Sequence, residues 1–327
     1  MLNPDLHLNS KVFDKDVEQK ATREGFGEAL IELGEQNSNV VVLTADLSES
    51  TRTDGFEKKF PQRFFEVGVA EQNMAAIAAG LGISGKIPFI SSYACFSPGK
   101  NWETIRTTII YNKANVKIAG HHSGIMTGPD GATHQATEDI AITRVWPGIE
   151  VFVPCDSNEA HWATLEAARI SGPVYLRFTR DKSPIITTDK TPFDKNVQMY
   201  WVSKNPKVVI FACGYLLYYA LLAAKNLEQK GVNVLVANIS TIKPADEKTI
   251  IELAKKTGKV VTVEDHQTSG GLGGMIAEVL SSNLPTPMEF IGLRNTFAES
   301  GKPSELIKKY KMDDKAIEEA VLRHLKI

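Results

Sequence analysis

The sequence predicts an α/β protein of two domains, each with a sheet enclosed by layers of helices. The chain has 327 residues, more than one small core can hold. Runs rich in β-branched residues alternate with helical patterns, as in parallel sheets that are covered on both faces. The alternation pauses at about 181–205, where charged residues, Pro and Thr replace it. We therefore predict a first domain at 1–190, a linker at 191–205 and a second domain at 206–327.

The patterns of the first domain predict five buried strands and four helices. The strands are expected at 39–46, 86–93, 116–122, 149–154 and 174–180, and the helices at 22–34, 71–82, 100–112 and 157–171. The last helix has the clearest beginning, because Asp156 and Ser157 are good N-cap residues and Glu159 completes a capping-box spacing.

A second α/β unit follows the predicted linker. Its strands are expected in KVVIFACG, VNVLVANI, KVVTVED and MEFIGL, with helices between them. The glycines of SGGLGGM, at 269–275, lack the spacing of a dinucleotide-binding loop, since position 276 is Ile. We predict a tight turn into a helix there.

Composition narrows the class of function. The formal net charge of −2 gives no sign of a surface for nucleic acid or membrane. The polar, acidic start is unlike a signal peptide, and no apolar run is long enough to span a membrane. Cys95, Cys155 and Cys213 are widely spaced, which is typical of reduced thiols in a cytoplasmic protein without disulfides or a zinc site.

The stretch GVAEQNMAAIAAG, at 68–80, predicts an apolar helix with one carboxylate, Glu71, near its beginning. Such a helix is expected to be buried, and a buried carboxylate is costly unless something pairs with it. The sequence therefore poses the question of what Glu71 contacts.

The loop HHSGIMTGPDGATHQ, at 121–135, carries three His and one Asp after a buried strand. Ligands bind beyond the carboxyl ends of strands in open parallel sheets, so this loop is a candidate site. A merely solvated loop remains an alternative. The spacing does not match a zinc motif.

Two more strand ends carry candidate residues. Tyr93 and Phe96 in SSYACF are either ordinary core or an aromatic wall for a planar ring. Arg177 and Arg180 in RFTR either pair with acidic neighbours or bind a phosphate. Arg23 and Ser50 are uninformative by themselves.

Taken together, these motifs resemble one family. RFFEVGVAEQNMAAIAAGLG, SSYACF, GPDGATHQATEDIAITR, VPCDSNEA and YLRFTR are similar, in this order, to the pyrimidine-binding domain of transketolase. STIKPAD, TVEDH, GGLGG and ESGKPSELIKKY are similar to its C-terminal domain. The resemblance implies a parallel-sheet pyrimidine-binding domain followed by a smaller mixed-sheet domain.

The resemblance also implies a missing half. Thiamine-diphosphate enzymes hold Mg²⁺ and the diphosphate with GDG and a later Asn, and this sequence has no such pair. It therefore resembles the C-terminal subunit of a split transketolase, whose N-terminal subunit would hold the Mg²⁺. The expected assembly is a 2+2 heterotetramer. We expect the 93–103 and 121–135 segments to be loose without partner and cofactor, because half of their contacts would be missing.

The resemblance implies roles for individual residues in transferring a two-carbon ketol unit from a ketose phosphate to an aldose. Glu71 would hydrogen-bond the cofactor's aminopyrimidine; burial favours its neutral form and the helix N-terminus its anion. The other implied contacts are Tyr93, Phe96, Trp102 and Asp46 with the cofactor, Asp130 and His134 with the reacting end of the sugar, and His122, Arg180, Arg23, Ser50 and, more weakly, Arg177 with its phosphate end. Glu71, His122 and His134 would be the catalytic residues.

Pro129, Lys100, Trp102 and Glu103 depart from the family pattern beside the substrate funnel, which leaves the sugar specificity open. The alternatives are a 2-oxoacid dehydrogenase E1 β subunit, a relative of deoxyxylulose-phosphate synthase, a transketolase for unusual phospho- or sulfo-sugars, and a non-catalytic regulatory subunit.

Overall fold

The computed structural model describes residues 1–326, and within them the chain folds into fourteen strands and eleven α-helices. The strands are β1 (Gln19–Lys20), β2 (Val40–Thr44), β3 (Phe64–Glu66), β4 (Ile87–Tyr93), β5 (Lys117–His121), β6 (Glu150–Phe152), β7 (Val174–Arg177), β8 (Ser183–Pro184), β9 (Gln198–Trp201), β10 (Val208–Ala212), β11 (Val234–Asn238), β12 (Thr241–Lys243), β13 (Val260–Gln267) and β14 (Met288–Leu293). The helices are α1 (Thr22–Gln36), α2 (Asp54–Lys59), α3 (Glu71–Ile83), α4 (Trp102–Thr104), α5 (Asp139–Arg144), α6 (Ser157–Arg169), α7 (Leu217–Gln229), α8 (Glu247–Thr257), α9 (Leu272–Asn283), α10 (Pro303–Lys309) and α11 (Asp314–Leu325).

The larger sheet has seven strands in the order β12-β6-β7-β5-β4-β2-β3. All neighbouring strands are parallel except β12, which pairs antiparallel with β6. Helices α1 and α6 pack together on one face, and α3 packs on the other. The predicted parallel sheet is therefore confirmed, and the carboxyl ends of β2, β4, β5 and β7 share one edge.

The smaller sheet has five strands in the order β14-β13-β10-β11-β9 and is mixed, because β9 runs antiparallel to β11. Strand β9 lies within the segment predicted as a linker. Tyr200 and Trp201 are almost fully buried there. Burying the two aromatic side chains at the edge of the sheet is more favourable in free energy than leaving them in solvent, although the segment around them is polar.

Each of the two units, the one around the larger sheet and the one around the smaller sheet, includes a segment from the other part of the chain. Strand β12 follows β11 in sequence yet completes the edge of the larger sheet. At the other end of the chain, Val12 is buried in the core of the smaller sheet, and Asn3 donates its backbone N–H to the Tyr200 carbonyl. Part of the segment predicted to belong to the first domain thus packs on the second unit.

Two predicted helix beginnings are confirmed. The Asp156 carboxylate accepts the Glu159 backbone N–H at 2.9 Å and caps α6. The Glu159 carboxylate accepts the Cys155 backbone N–H at 2.6 Å, which completes the reciprocal cap one residue earlier than expected. Helix α9 begins after Gly271, where a side-chain Cβ would stand 1.9 Å from a carboxylate oxygen of Glu264.

The helix predicted at 100–112 is irregular. Wide π-helical turns at Cys95–Lys100 and Ile105–Ile110 flank the short α4, and Ser97 is extended at φ −140°. Pro98 explains the break, since proline disfavours helical backbone in the residue before it. Among the described helices, none is long and apolar enough to cross a membrane.

Candidate active site

Glu71 is the first residue of α3, and its side chain is only 3 % exposed. The residue that contacts the Glu71 carboxylate is Lys100, whose Nζ lies 2.8 Å from Glu71 Oε2. The Asn101 side chain donates to the Glu71 backbone carbonyl at 2.9 Å and to Ser97 Oγ at 3.2 Å. The irregular segment after β4 is therefore fixed against the beginning of α3, where the helix dipole also favours a negative charge.

Four aromatic rings form a cluster beyond β4 and β5. The rings of Tyr93 and His122 stack with centroids 3.7 Å apart, and Tyr93 and Phe96 are nearly parallel at 5.8 Å. His134 meets Phe96 edge-on at 5.4 Å. The structure thus brings together the two aromatic residues and two of the histidines that the sequence singled out.

His122 is held in an unusual conformation. It directly follows β5, has a left-handed φ of 52° and is 1 % exposed. Burial, followed by the nearby charges of Arg23 and Arg180, lowers the pKa of His122 to about 3. Its Nδ1 has no hydrogen-bond partner among the described residues. The ring is therefore neutral at physiological pH and retains hydrogen-bonding capacity for a ligand.

A cationic region adjoins the aromatic cluster. Arg23 donates to the Ser50 backbone carbonyl at 2.7 Å, and Arg180 donates to the Thr127 carbonyl at 2.9 Å. Burial, and then the charges of Arg52 and Arg180, lower the pKa of Arg23, although an arginine stays protonated in any case. Three neighbouring guanidinium groups are suited to an anion such as a phosphate.

The acidic residues of this region are few and only loosely paired. Asp130 Oδ1 lies 3.9 Å from Arg180 Nη1, and Glu24 Oε1 lies 3.8 Å from Arg52 Nη2. Sequence reasoning missed Arg52. Arg52 follows Ser50, a predicted contact of the phosphate end, by two residues, and this proximity could have indicated it.

The 121–135 loop is anchored by the second unit. The Ile125 backbone N–H donates to Asp265 Oδ1 at 3.1 Å, and Tyr215 Oη donates to Asp265 Oδ2 at 2.9 Å. Gln135 donates to the Glu299 carbonyl at 3.1 Å. The loop thus makes several contacts within this chain. Asp265, in the motif TVEDH, is a supporting residue that sequence reasoning did not assign.

Arg177 does not join the candidate site. Its side chain is 4 % exposed and pairs with Asp139 at 2.8 Å, and it also donates to the Asp265 carbonyl at 2.8 Å. Burial alone would raise the pKa of Asp139, but its contacts with Arg177 hold that pKa below the usual value. The prediction that Arg177 contacts the phosphate is therefore not supported. Arg177 instead connects the two units of the chain.

Of the two remaining predicted cofactor contacts, Trp102 lies differently from expectation and Asp46 does not. Trp102 stacks on Trp146 with centroids 5.3 Å apart and donates its Nε1–H to the Ile142 carbonyl at 2.8 Å, so it belongs to the core rather than to the aromatic cluster. Asp46 is exposed, two residues beyond β2 and at the same sheet edge as Tyr93, with a left-handed φ of 62°. Within residues 1–326, no cluster of potential metal ligands is present.

Comparisons with known proteins match both units of the chain to one family. The family model described as transketolase, pyrimidine binding domain matches residues 18–185, and the one described as transketolase, C-terminal domain matches residues 198–317. The chain is 43 % identical over 310 residues to a putative transketolase C-terminal section of Methanocaldococcus jannaschii, covering 94 % of this chain and 97 % of that protein.

Two further relatives cover nearly the same length. The chain is 34 % identical over 305 residues to a 6-deoxy-6-sulfo-D-fructose transketolase subunit of a Clostridium species, covering 93 % of this chain and 94 % of that protein. A solved structure of a split-gene transketolase, described as an inactive beta4 tetramer, superimposes with a TM-score of 0.86 at 43 % identity, over 94 % of this chain and 98 % of that one. The chain therefore belongs to the transketolase family, of which it contains the pyrimidine-binding and C-terminal domains.

Proposed function

We propose that this chain is the C-terminal subunit of a two-chain transketolase, which transfers a two-carbon ketol unit from a ketose phosphate to an aldose with thiamine diphosphate. The observation that carries the proposal is Glu71, a buried carboxylate at the beginning of α3. It lies next to the segment that presents Phe96, at the sheet edge where β4 and β5 end.

The residues present fit the aminopyrimidine end of thiamine diphosphate. The near-parallel rings of Tyr93 and Phe96 suit a planar heterocycle, and Glu71 suits a ring nitrogen. When bound, the cofactor supplies an electron sink for cleavage of the bond next to a carbonyl. Glu71 would hold one proton in a hydrogen bond to N1′, and the apolar helix behind it would exclude water.

The sugar would lie along the aromatic cluster with its phosphate toward the arginines. His122 is neutral because of its burial and the nearby charges of Arg23 and Arg180, so it would orient the substrate by hydrogen bonding rather than act as a base. His134 and Asp130 would contact the hydroxyls near the reacting carbons, while Arg23, Ser50 and Arg180 would bind the phosphate. Asp46, at the same sheet edge, would lie near the cofactor.

A second subunit would complete the site. Helix α3 is apolar on both faces, yet Ile77 and Ile83 on its outer side are 37 % and 65 % exposed, and Val69 before it is 72 % exposed. Such a surface favours coverage by another chain. We infer a 2+2 heterotetramer in the cytoplasm, with Mg²⁺ and the diphosphate held by an N-terminal subunit carrying GDG and Asn. The inactivity of the related beta4 tetramer supports the need for that partner.

A transketolase for a sulfo-sugar is the second candidate. The 34 % identical Clostridium subunit acts, by its name, on 6-deoxy-6-sulfo-D-fructose. A sulfonate and a phosphate are both oxyanions, so the region of Arg23, Arg52 and Arg180 suits either. Turnover on a panel of phosphorylated and sulfonated ketoses would separate the two candidates.

The test uses the chain co-purified with its N-terminal partner. Glu71→Ala is expected to leave folding and assembly intact and to lower turnover at least about 100-fold, since it removes proton exchange with the cofactor. Glu247→Ala is the matched control, because Glu247 is also the first residue of a helix but is exposed and remote. Unchanged turnover of Glu71→Ala would contradict the mechanism. A chain that is monomeric and active by itself in light scattering and turnover assays would contradict the two-subunit assembly.

A further inference from the structure

The ion pair between Lys100 and Glu71 joins two very different environments. The Glu71 side chain is 3 % exposed, whereas the Lys100 side chain is 48 % exposed. A buried carboxylate needs a partner, while an ammonium at the surface is equally well solvated by water. Breaking the ion pair therefore costs Lys100 little free energy, because water solvates its ammonium group. The same break would leave the buried Glu71 carboxylate without a partner, which is unfavourable.

The proposed reaction requires a different partner at the same carboxyl group. A hydrogen bond between Glu71 and a ring nitrogen needs a carboxyl oxygen that faces the ring, but Glu71 Oε2 lies 2.8 Å from Lys100 Nζ and is already paired. The two arrangements therefore oppose each other. Asn101 keeps the backbone of the segment in place through the Glu71 carbonyl, so the Lys100 side chain can move while its backbone stays.

We infer that Lys100 is a positioning residue that occupies the place of the cofactor ring: it pairs with Glu71 in the cofactor-free chain and swings into solvent when thiamine diphosphate binds. The inference rests on the proposed function and adds a step to it. Exchange of one partner for the other keeps the buried carboxylate satisfied in both states. Cofactor binding thus competes with an interaction inside the chain.

Lys100→Met tests this competition because methionine keeps much of the apolar stem and removes the charge. In the complex with the N-terminal subunit, the dissociation constant of thiamine diphosphate, measured by calorimetry, is expected to fall about threefold to tenfold, since the variant loses a stabilising contact only in its free state. The free chain is expected to melt at a lower temperature than wild type. Lys248→Met, at an exposed lysine on α8, is the control and is expected to change neither value.

A second measurement needs no variant. Acetylation of lysines in the wild-type complex, followed by mass spectrometry, is expected to modify Lys100 several-fold faster after thiamine diphosphate is added. Equal or slower modification, or equal or weaker cofactor binding by Lys100→Met, would overturn the inference. If the wild-type complex binds no thiamine diphosphate at all, the proposed function itself fails, which is a distinguishable outcome.

Discussion

Gly124 is the position where the histidine-bearing loop meets the second unit most closely. A Cβ placed on it would stand 2.0 Å from Asp265 Oδ2, and its backbone has φ 71° and ψ −169°, a combination accessible almost only to glycine. Gly124→Ala would therefore force both a strained backbone and a displaced Asp265. Because the Asp265 carboxylate also accepts hydrogen bonds from Ile125 and Tyr215, both contacts are at risk.

The magnitude follows from these two effects. Strain of this kind costs about 1–3 kcal/mol. The loss or weakening of hydrogen bonds to a buried charged group costs about 1.5–3 kcal/mol. We expect Gly124→Ala to lower the free energy of unfolding by roughly 2.5–6 kcal/mol, the sum of the two effects. We also expect turnover of the complex to fall at temperatures where the variant is still folded, because His122 lies two residues before Gly124.

Urea denaturation followed by circular dichroism measures the effect, with Gly148→Ala as the matched control. Gly148 has the same φ of 71°, but no atom lies within 4 Å of the point where a Cβ would stand, so this variant measures the cost of a positive φ without a steric contact, at about 1–3 kcal/mol. Equal destabilisation by the two variants would refute the claim that Asp265 anchors the loop. Normal turnover of Gly124→Ala would refute the claim that this anchor positions the site.

Two further predictions concern buried charges. Arg177→Met leaves the Asp139 carboxylate buried without its cation and is expected to lower the free energy of unfolding by about 3–5 kcal/mol in urea denaturation; a loss below about 1 kcal/mol would contradict the structural role of Arg177. Burial raises the pKa of Glu159 to about 7, so between about pH 4.5 and pH 7 the folded chain holds a proton that the unfolded chain has lost. Stability contributed at this site is therefore present at low pH and is lost as pH rises through that window, by about 3–4 kcal/mol relative to Glu159→Gln, whose parallel urea titration should lack this decline. Identical pH dependence in the two proteins would contradict this assignment.

Local patterns predicted most of the secondary structure. Alternating apolar runs located β2, β4, β5, β6 and β7 within a few residues. Asp156 and Glu159 located the beginning of α6, since a helix cap depends on residues a few positions apart. Patterns of this length did not predict the irregular turns around Pro98 or the pairing of β12 with the larger sheet, because these depend on what each segment packs against.

For the site, the sequence by itself determined which chemical groups are available and at which sheet edge they stand. Strand ends and loop composition placed Tyr93, Phe96, His122 and His134 there, and the family resemblance added Glu71. Only the tertiary structure decided which groups are free and which are paired. Arg177 is occupied by Asp139, 38 residues away, and Glu71 pairs with Lys100, 29 residues away. The fold decides which charged groups are neighbours, and these can be far apart in sequence. Because an unpaired buried charge is costly in free energy, a buried group pairs with whichever counter-charge the fold brings close.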